Sequence, residues 1–116
     1  MHPDTRYLFF ASMDITPEKE ALFNEVYDTE HVPSLLSVPG VLGCVRCTAS
    51  PLRLAIGGTV KTVDVTGEPR YTAIYELASD DVLVSDAWAQ AVERGRWPSE
   101  IRPHLSNHRH RLLRIR

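Results

Sequence analysis

Tyr27-Asp28-Thr29-Glu30-His31-Val32-Pro33, followed by Val38-Pro39-Gly40-Val41, is the stretch from which the rest of the chain can be read. It ends one amphipathic segment and opens another. Upstream, Leu22, Phe23, Val26 and Tyr27 form a compact apolar stripe at helical spacing, which predicts a helix from Pro17 to about His31. Thr16 as N-cap, Pro17 at the first helical position and the acidic Glu18 and Glu20 mark its start. Lys19 stands where a capping box would place Glu or Gln. Pro33 disfavours helical geometry at Val32, so a break or bend is expected near His31. Ser34 to Leu36 then adds one turn before Val38-Pro39-Gly40 stops it.

On either side of this helix lie strands. Arg6–Ile15, dense in Tyr7, Leu8, Phe9, Phe10 and Met13, reads as a strand buried on both faces. Gly40–Thr48 reads as a second. Ala49–Arg70 reads as an extended strand or irregular hairpin closing at Gly67-Glu68-Pro69, interrupted by Gly57-Gly58. Arg70–Leu77 alternates Tyr71, Ala73 and Tyr75 against Thr72, Ile74 and Glu76, as a strand does. Ser79 and again Ser85 are helix starts, and Gly95 is a natural C′ residue. Trp97-Pro98 and Arg102-Pro103 read as a connection to a last strand, about Asn107–Arg116. The resulting β-α-β-β-α-β order is the ferredoxin-like α+β arrangement, expected here as one domain over residues 1–116. Its second sheet face carries apolar residues and needs a cover, which predicts a homodimer.

Composition excludes several classes. The 116 residues carry 13 basic and 15 acidic side chains, a net charge of −2 that leaves no electrostatic footprint for nucleic acid. No apolar run is long enough to span a membrane. Met1–Arg6 lacks the apolar stretch of a secretory signal, so with two cysteines a cytoplasmic location is expected.

Three constellations carry chemistry. Cys44-Val45-Arg46-Cys47 is formally a C-x-x-C, but on a strand its cysteines point to opposite faces, as inert packing residues would. His108 and His110 share a strand face, with His104 nearby; no carboxylate or cysteine completes a metal set in sequence, and a solvated cationic edge strand is the plainer reading. In the central stretch, Tyr27 and His31 are i, i+4 neighbours, and Asp28 and His31 are i, i+3. A histidine in a last helical turn, beside Asp28 and Glu30, is favoured in its protonated form and would titrate near neutrality, as general acid–base work requires. The plainer alternative is a surface His31–Asp28 pair.

The Tyr-x-x-x-His-x-Pro motif, with Val38-Pro39-Gly40-Val41 and Pro69–Leu77, resembles the dimeric α+β barrel superfamily, and among its branches the EthD-like proteins, over nearly the whole chain. The resemblance implies two copies forming a barrel, with a cleft on each subunit between sheet and helices. Its members include polyketide cyclases, muconolactone isomerases, cofactor-free monooxygenases and haem-binding peroxidase-like proteins. In several, a helix histidine matching His31 faces the cleft as acid or base. The Leu52–Glu68 stretch is longer than a minimal member needs, which implies a different cleft mouth or dimer edge. No run resembles the proximal-ligand segment of a haem protein, which makes haem the lesser alternative.

The expectation is therefore a small cofactor-independent enzyme doing proton-transfer chemistry on an aromatic or unsaturated carbonyl compound. In it His31 shuttles the proton, Asp28 orients it and Tyr27 donates to an oxyanion. Arg46 and Tyr75 hold a carboxylate or phenol, while Phe9, Phe23 and Trp88 supply apolar walls. A non-catalytic dimer binding a small hydrophobic molecule, and a haem or metal protein using His31 or the His104–His110 cluster, are the competing readings.

Overall fold

In the computed structural model, which describes residues 1–116, β1 (Tyr7–Ile15) and β5 (Tyr71–Leu77) form the centre of a four-stranded antiparallel sheet. β2 (Val41–Thr48) pairs with the outer side of β5, and β6 (Leu105–Arg114) with the outer side of β1, giving the order β2-β5-β1-β6. This is the expected ferredoxin-like α+β topology. Alternation decides which residues go inside: Ala11, Met13 and Ile15 on β1 and Tyr71, Ala73, Tyr75 and Leu77 on β5 are buried beneath the helices.

The first helical segment does not break at Pro33. α1 (Glu20–Val26) runs into a single π turn, Tyr27–His31, and continues as α2 (Val32–Leu36). Within the π turn the Val32 N–H donates to the Tyr27 carbonyl, five residues back. That wider turn accommodates Pro33, which lacks an N–H and whose ring would press on the carbonyl four residues before it in an α-helix. One face of this continuous element buries Phe23, Val26, Tyr27, His31 and Leu35 against the sheet. The second helical layer is short. Ser79 and Ser85 cap as expected, their hydroxyls accepting from the backbone N–H of Asp81 and Trp88. α3 (Asp86–Ala91) ends four residues before Gly95, so Gly95 is not its C′ residue. Trp97–Ile101 forms a second π turn where the sequence suggested a plain connection.

Two further differences concern strands. The turn of the 49–70 region lies at Gly57-Gly58, both at positive φ, joining β3 (Leu52–Ile56) to β4 (Thr59–Val63) in a separate two-stranded sheet. β6 begins at Leu105, ahead of a register shift opposite Ser12–Asp14, where Asn107 adopts φ 52° and its side-chain amide donates to Asp14 and to the Gly67 carbonyl. The opposite face of the main sheet, with Leu8, Phe10, Val45, Ile74 and Leu113, has no covering layer in a single chain; Val45 is 55% exposed. No helix is long and apolar enough to cross a membrane.

Candidate ligand cavity

A cavity of about 630 Å³ lies between the sheet and the helical layer. β1 and β5 supply its floor through Phe9 and Tyr75; the first π turn supplies Tyr27 and His31; α3 and the second π turn supply Trp88 and Trp97. Arg102, His108 and His110 complete the rim, the last two because alternate positions of β6 face the helical side. The walls are rich in aromatic rings, with Ala11, Met13, Leu35 and Leu105 filling in between them, and Phe9 lies 6.0 Å from both Tyr75 and Trp88, centroid to centroid.

His31 is the centre of the arrangement. Its ring is stacked flat on Trp97, with centroids 3.8 Å apart and planes 7° from parallel, and meets Tyr27 edge-on at 5.2 Å. It is 6% exposed, and its Nδ1 has no hydrogen-bond partner. Burial, reinforced by the positive charge of Arg102, pulls its pKa down to about 4. This reverses the sequence-based expectation of a near-neutral titration. The helix continues past His31, so no free carbonyl end lies beside it, and Asp28 points elsewhere. His31 is thus an unprotonated imidazole at neutral pH, and a buried polar atom without a partner is a feature that folded proteins seldom leave unused.

The stack is held from outside. The Glu30 carboxylate accepts from the Arg96 backbone N–H at 2.9 Å and from Arg96 Nε at 2.6 Å. These two residues directly precede His31 and Trp97, so one ion pair ties together the backbones carrying the stacked rings. Gly95 sits at φ 66°, and a Cβ there would strike the Glu30 carboxylate.

A hydroxyl pair forms the polar part of the floor. Tyr27 Oη and Tyr75 Oη are 3.3 Å apart and buried. Burial pushes the Tyr27 pKa up to about 12 and that of Tyr75 far above its usual value, so both stay protonated. Burial likewise pushes the Cys44 thiol, beside Tyr75, up to about 11, in keeping with an unreactive packing residue. Cys47, on the opposite strand face, is exposed.

Of the eight side chains singled out from sequence, Phe9, Tyr27, His31, Tyr75 and Trp88 line this cavity. Three do not. Phe23 is fully buried in the core behind Tyr27 and Trp97. Arg46 projects over the far side of Tyr27, its guanidinium 4.2 Å from the ring centroid, and donates to Asp28 at 2.8 Å and Asn24 at 2.9 Å. Asp28 is therefore engaged with Arg46 in a separate polar recess with Asn24, Cys47, Thr48 and Tyr71, and does not orient His31. The reason is angular: one step along a helix turns a side chain by about 100°, so Asp28 leaves the face shared by Tyr27 and His31.

Trp97 and Arg102 escaped the sequence reading because they sit among prolines in what resembled a linker. The available signal was Trp97 itself, a large aromatic side chain of the kind that usually packs. His108 and His110 were seen as a pair, with ring centroids 5.5 Å apart, but not as cavity wall. No group of three or more histidine, cysteine or acidic side chains is gathered as a metal site.

No protein-family model matches the chain, and no curated protein matches it. Among solved structures, the fold is similar to that of MhuD. An arginine-to-serine mutant of MhuD, crystallised with two manganese protoporphyrin IX groups per active site, superposes with a TM-score of 0.57 at 14% identity, covering 94% of this chain and 93% of that one. The haem-degrader MhuD from Mycobacterium tuberculosis, with two haems in its active site, gives 0.53 at 15% identity, covering 94% of each. At such identities the likeness establishes the fold alone, a ferredoxin-like α+β sheet covered by helices on one face. It does not extend to the EthD-like branch.

Proposed function

We propose that the cavity binds a flat, mostly apolar macrocycle bearing acidic groups, of the haem class, and that the chain is a haem-binding barrel. The observation that carries this reading is His31: a buried, unprotonated imidazole with an unpartnered Nδ1, fixed by a flat stack on Trp97 in an aromatic cavity. Neutral imidazole is the form that binds a metal, and Phe9, Tyr75 and Trp88 offer the apolar surface that a porphyrin needs. Arg102 at the rim suits a carboxylate, and His108 and His110 beside it offer ring N–H donors, with burial and the neighbouring His108 disfavouring the charged form of His110; together they would keep the acidic edge of the ligand at the mouth. The volume, about 630 Å³, falls within the ~300–1,000 Å³ usual for small-molecule sites. MhuD, which has the same fold, holds two haems in its active site, and this supports the reading.

The residues of the chain fit this ligand in distinct ways. His31 would hold the iron, Trp97 and the Glu30–Arg96 pair would keep the imidazole from turning, and the Tyr27–Tyr75 hydroxyl pair would offer a hydrogen bond at the floor. Bound iron would supply redox and Lewis-acid chemistry. The cofactor-free acid–base reading fares less well for a physical reason. An imidazole with a pKa of about 4 is protonated in roughly one molecule per thousand at pH 7, and its base form is weak.

Both tryptophans of the chain, Trp88 and Trp97, line the cavity, which supplies a direct test. Haemin titrated into the protein should quench nearly all tryptophan emission saturably at a small whole-number ratio, and iron-free protoporphyrin IX should bind more weakly. If neither porphyrin quenched saturably while small phenols, quinones or lactones raised the melting temperature, the acid–base reading would replace this one.

A further inference from the structure

β6 changes its alternation part-way along, and the change decides where its histidines point. Leu105 lies opposite Ile15 and Ser106 opposite Asp14, whereas Arg109 lies opposite Ser12 and His110 opposite Ala11. β6 therefore carries one residue more than β1 across this stretch, with Asn107 and His108 both set against Met13, a β-bulge. Before the bulge the odd-numbered positions of β6 face the helices, as Leu105 does. Beyond it the even-numbered ones do, so His108 and His110 both line the cavity. In an unbroken alternation both would turn to the uncovered face of the sheet. Asn107, at φ 52°, is the one residue other than glycine in the left-handed region, and its side-chain amide donates to Asp14 at 3.0 Å and to the Gly67 carbonyl at 2.9 Å. Bulges and strained residues of this kind recur beside functional sites, where they re-aim a side chain.

The two rings so aimed are spaced as ligands of one ion. Their centroids are 5.5 Å apart and their planes are inclined at 61°. A zinc-class ion ~2.1 Å from a nitrogen of each ring lies ~3.2 Å from each ring centre, and a tetrahedral angle then sets the centres ~5.2 Å apart. The observed spacing is within a few tenths of an ångström of that, a gap that side-chain rotation closes with the strand held fixed. No hydrogen bond or ion pair of the chain engages either imidazole; beyond their mutual contact, His110 meets the Phe9 ring at 5.6 Å. Nearby cations are turned away or occupied. Arg109 and Arg111 alternate to the other face, and Arg102 donates to the Glu93 carboxylate and the Val92 carbonyl, each at 2.9 Å.

We propose that His108 and His110 form a two-histidine site for a divalent transition-metal ion at the mouth of the cavity. Imidazole pairs suit zinc, copper and nickel, whereas magnesium and calcium take oxygen ligands. Two protein ligands are fewer than the three or four of a catalytic or structural zinc centre, so the ion is held exchangeably. Its remaining positions go to water or to an acidic group of a molecule in the cavity, which the ion would bind in place of the two ring N–H donors. The site is independent of what His31 holds.

Zinc chloride titrated into the haem-free chain tests this, followed by calorimetry and by the ring nitrogen resonances of the histidines. The expected result is one Zn²⁺ per chain with micromolar affinity, the His108 and His110 resonances moving together and Mg²⁺ moving neither. His108→Gln and His110→Gln, both at exposed strand positions, should each weaken binding at least ~10-fold, whereas His2→Gln should leave it unchanged. Binding that is unchanged in the double variant would overturn the proposal. So would a shift confined to one of the two rings, or no binding at millimolar Zn²⁺.

Discussion

Replacing His31 with Phe should remove a pH dependence of stability that the intact chain carries. The folded pKa of His31 is about 4 and the ordinary histidine value is 6.5, so between these two pH values the unfolded chain binds a proton that the folded chain refuses. Stability therefore rises with pH across this window. The contribution is nil above pH 6.5 and grows as the pH falls towards 4. At pH 5 the linkage relation gives a cost of about 2 kcal/mol relative to pH 8, and the limiting cost below pH 4 is about 3 kcal/mol. Other groups also respond to acid. Arg96 holds the Glu30 carboxyl below its usual range and Arg102 does the same for Glu93, so both lose stabilisation as the pH drops. The comparison must therefore be a double difference. Urea unfolding of the wild type and His31→Phe at pH 8 and pH 5 should show the wild type losing about 2 kcal/mol more than the variant. Phe keeps the planar stack on Trp97 and cannot take a proton. Equal losses would mean that His31 is solvated or paired, and the argument for a free imidazole would fail.

Three other substitutions have defined outcomes. Phe23→Ala, which empties a fully buried site between Tyr27, Tyr71 and Trp97, should cost ~3–5 kcal/mol in urea unfolding, consistent with a core residue rather than a cavity wall. Asp28→Asn should change haemin affinity by less than about twofold, since Asp28 faces Arg46; a tenfold loss would restore it to the site. Gly95→Ala should lower the melting temperature and disturb the near-UV signal of Trp97, because it sets a Cβ against Glu30 at a positive φ; an unchanged signal would show that the Glu30–Arg96 pair does not position the stack.

Much of the fold was legible because it rests on patterns of period 2 and 3.6. The alternation in Tyr71–Leu77 and the apolar stripe of Leu22–Tyr27 identified one central strand and one helix, and the serine caps located the second helical layer. What was not legible depended on tertiary geometry. Pro33 signals a break by local rules, yet a π turn absorbs it at little visible cost, since α2 continues and packs Leu35 into the core. Gly57-Gly58 and Gly67 are equally good turn formers, and the ladder between Leu52–Ile56 and Thr59–Val63 decides in favour of the former.

The site shows the same division. His31 and Tyr27 follow from helical spacing. The state of the imidazole does not, because its pKa is set by burial under Trp97, which is 66 positions further along the chain and reaches it only through the fold. Arg46 looked like a ligand-holding cation and instead lies on the outer face of the Tyr27 ring, where strand pleat and helix rotation place it. His108 and His110 became cavity wall through their register with Ala11 and its neighbours, which no local pattern contains.

The central claim, that His31 and its aromatic surroundings hold a haem-class ligand, is tested most directly by the absorption spectrum of the haemin complex in wild type and His31→Ala. The wild type should develop a shifted, sharpened Soret band at a fixed stoichiometry, and His31→Ala should lose the shift and bind at least ~10-fold more weakly. An identical band and affinity in the two proteins would remove His31 as the iron ligand. No Soret shift in either would contradict the account as a whole.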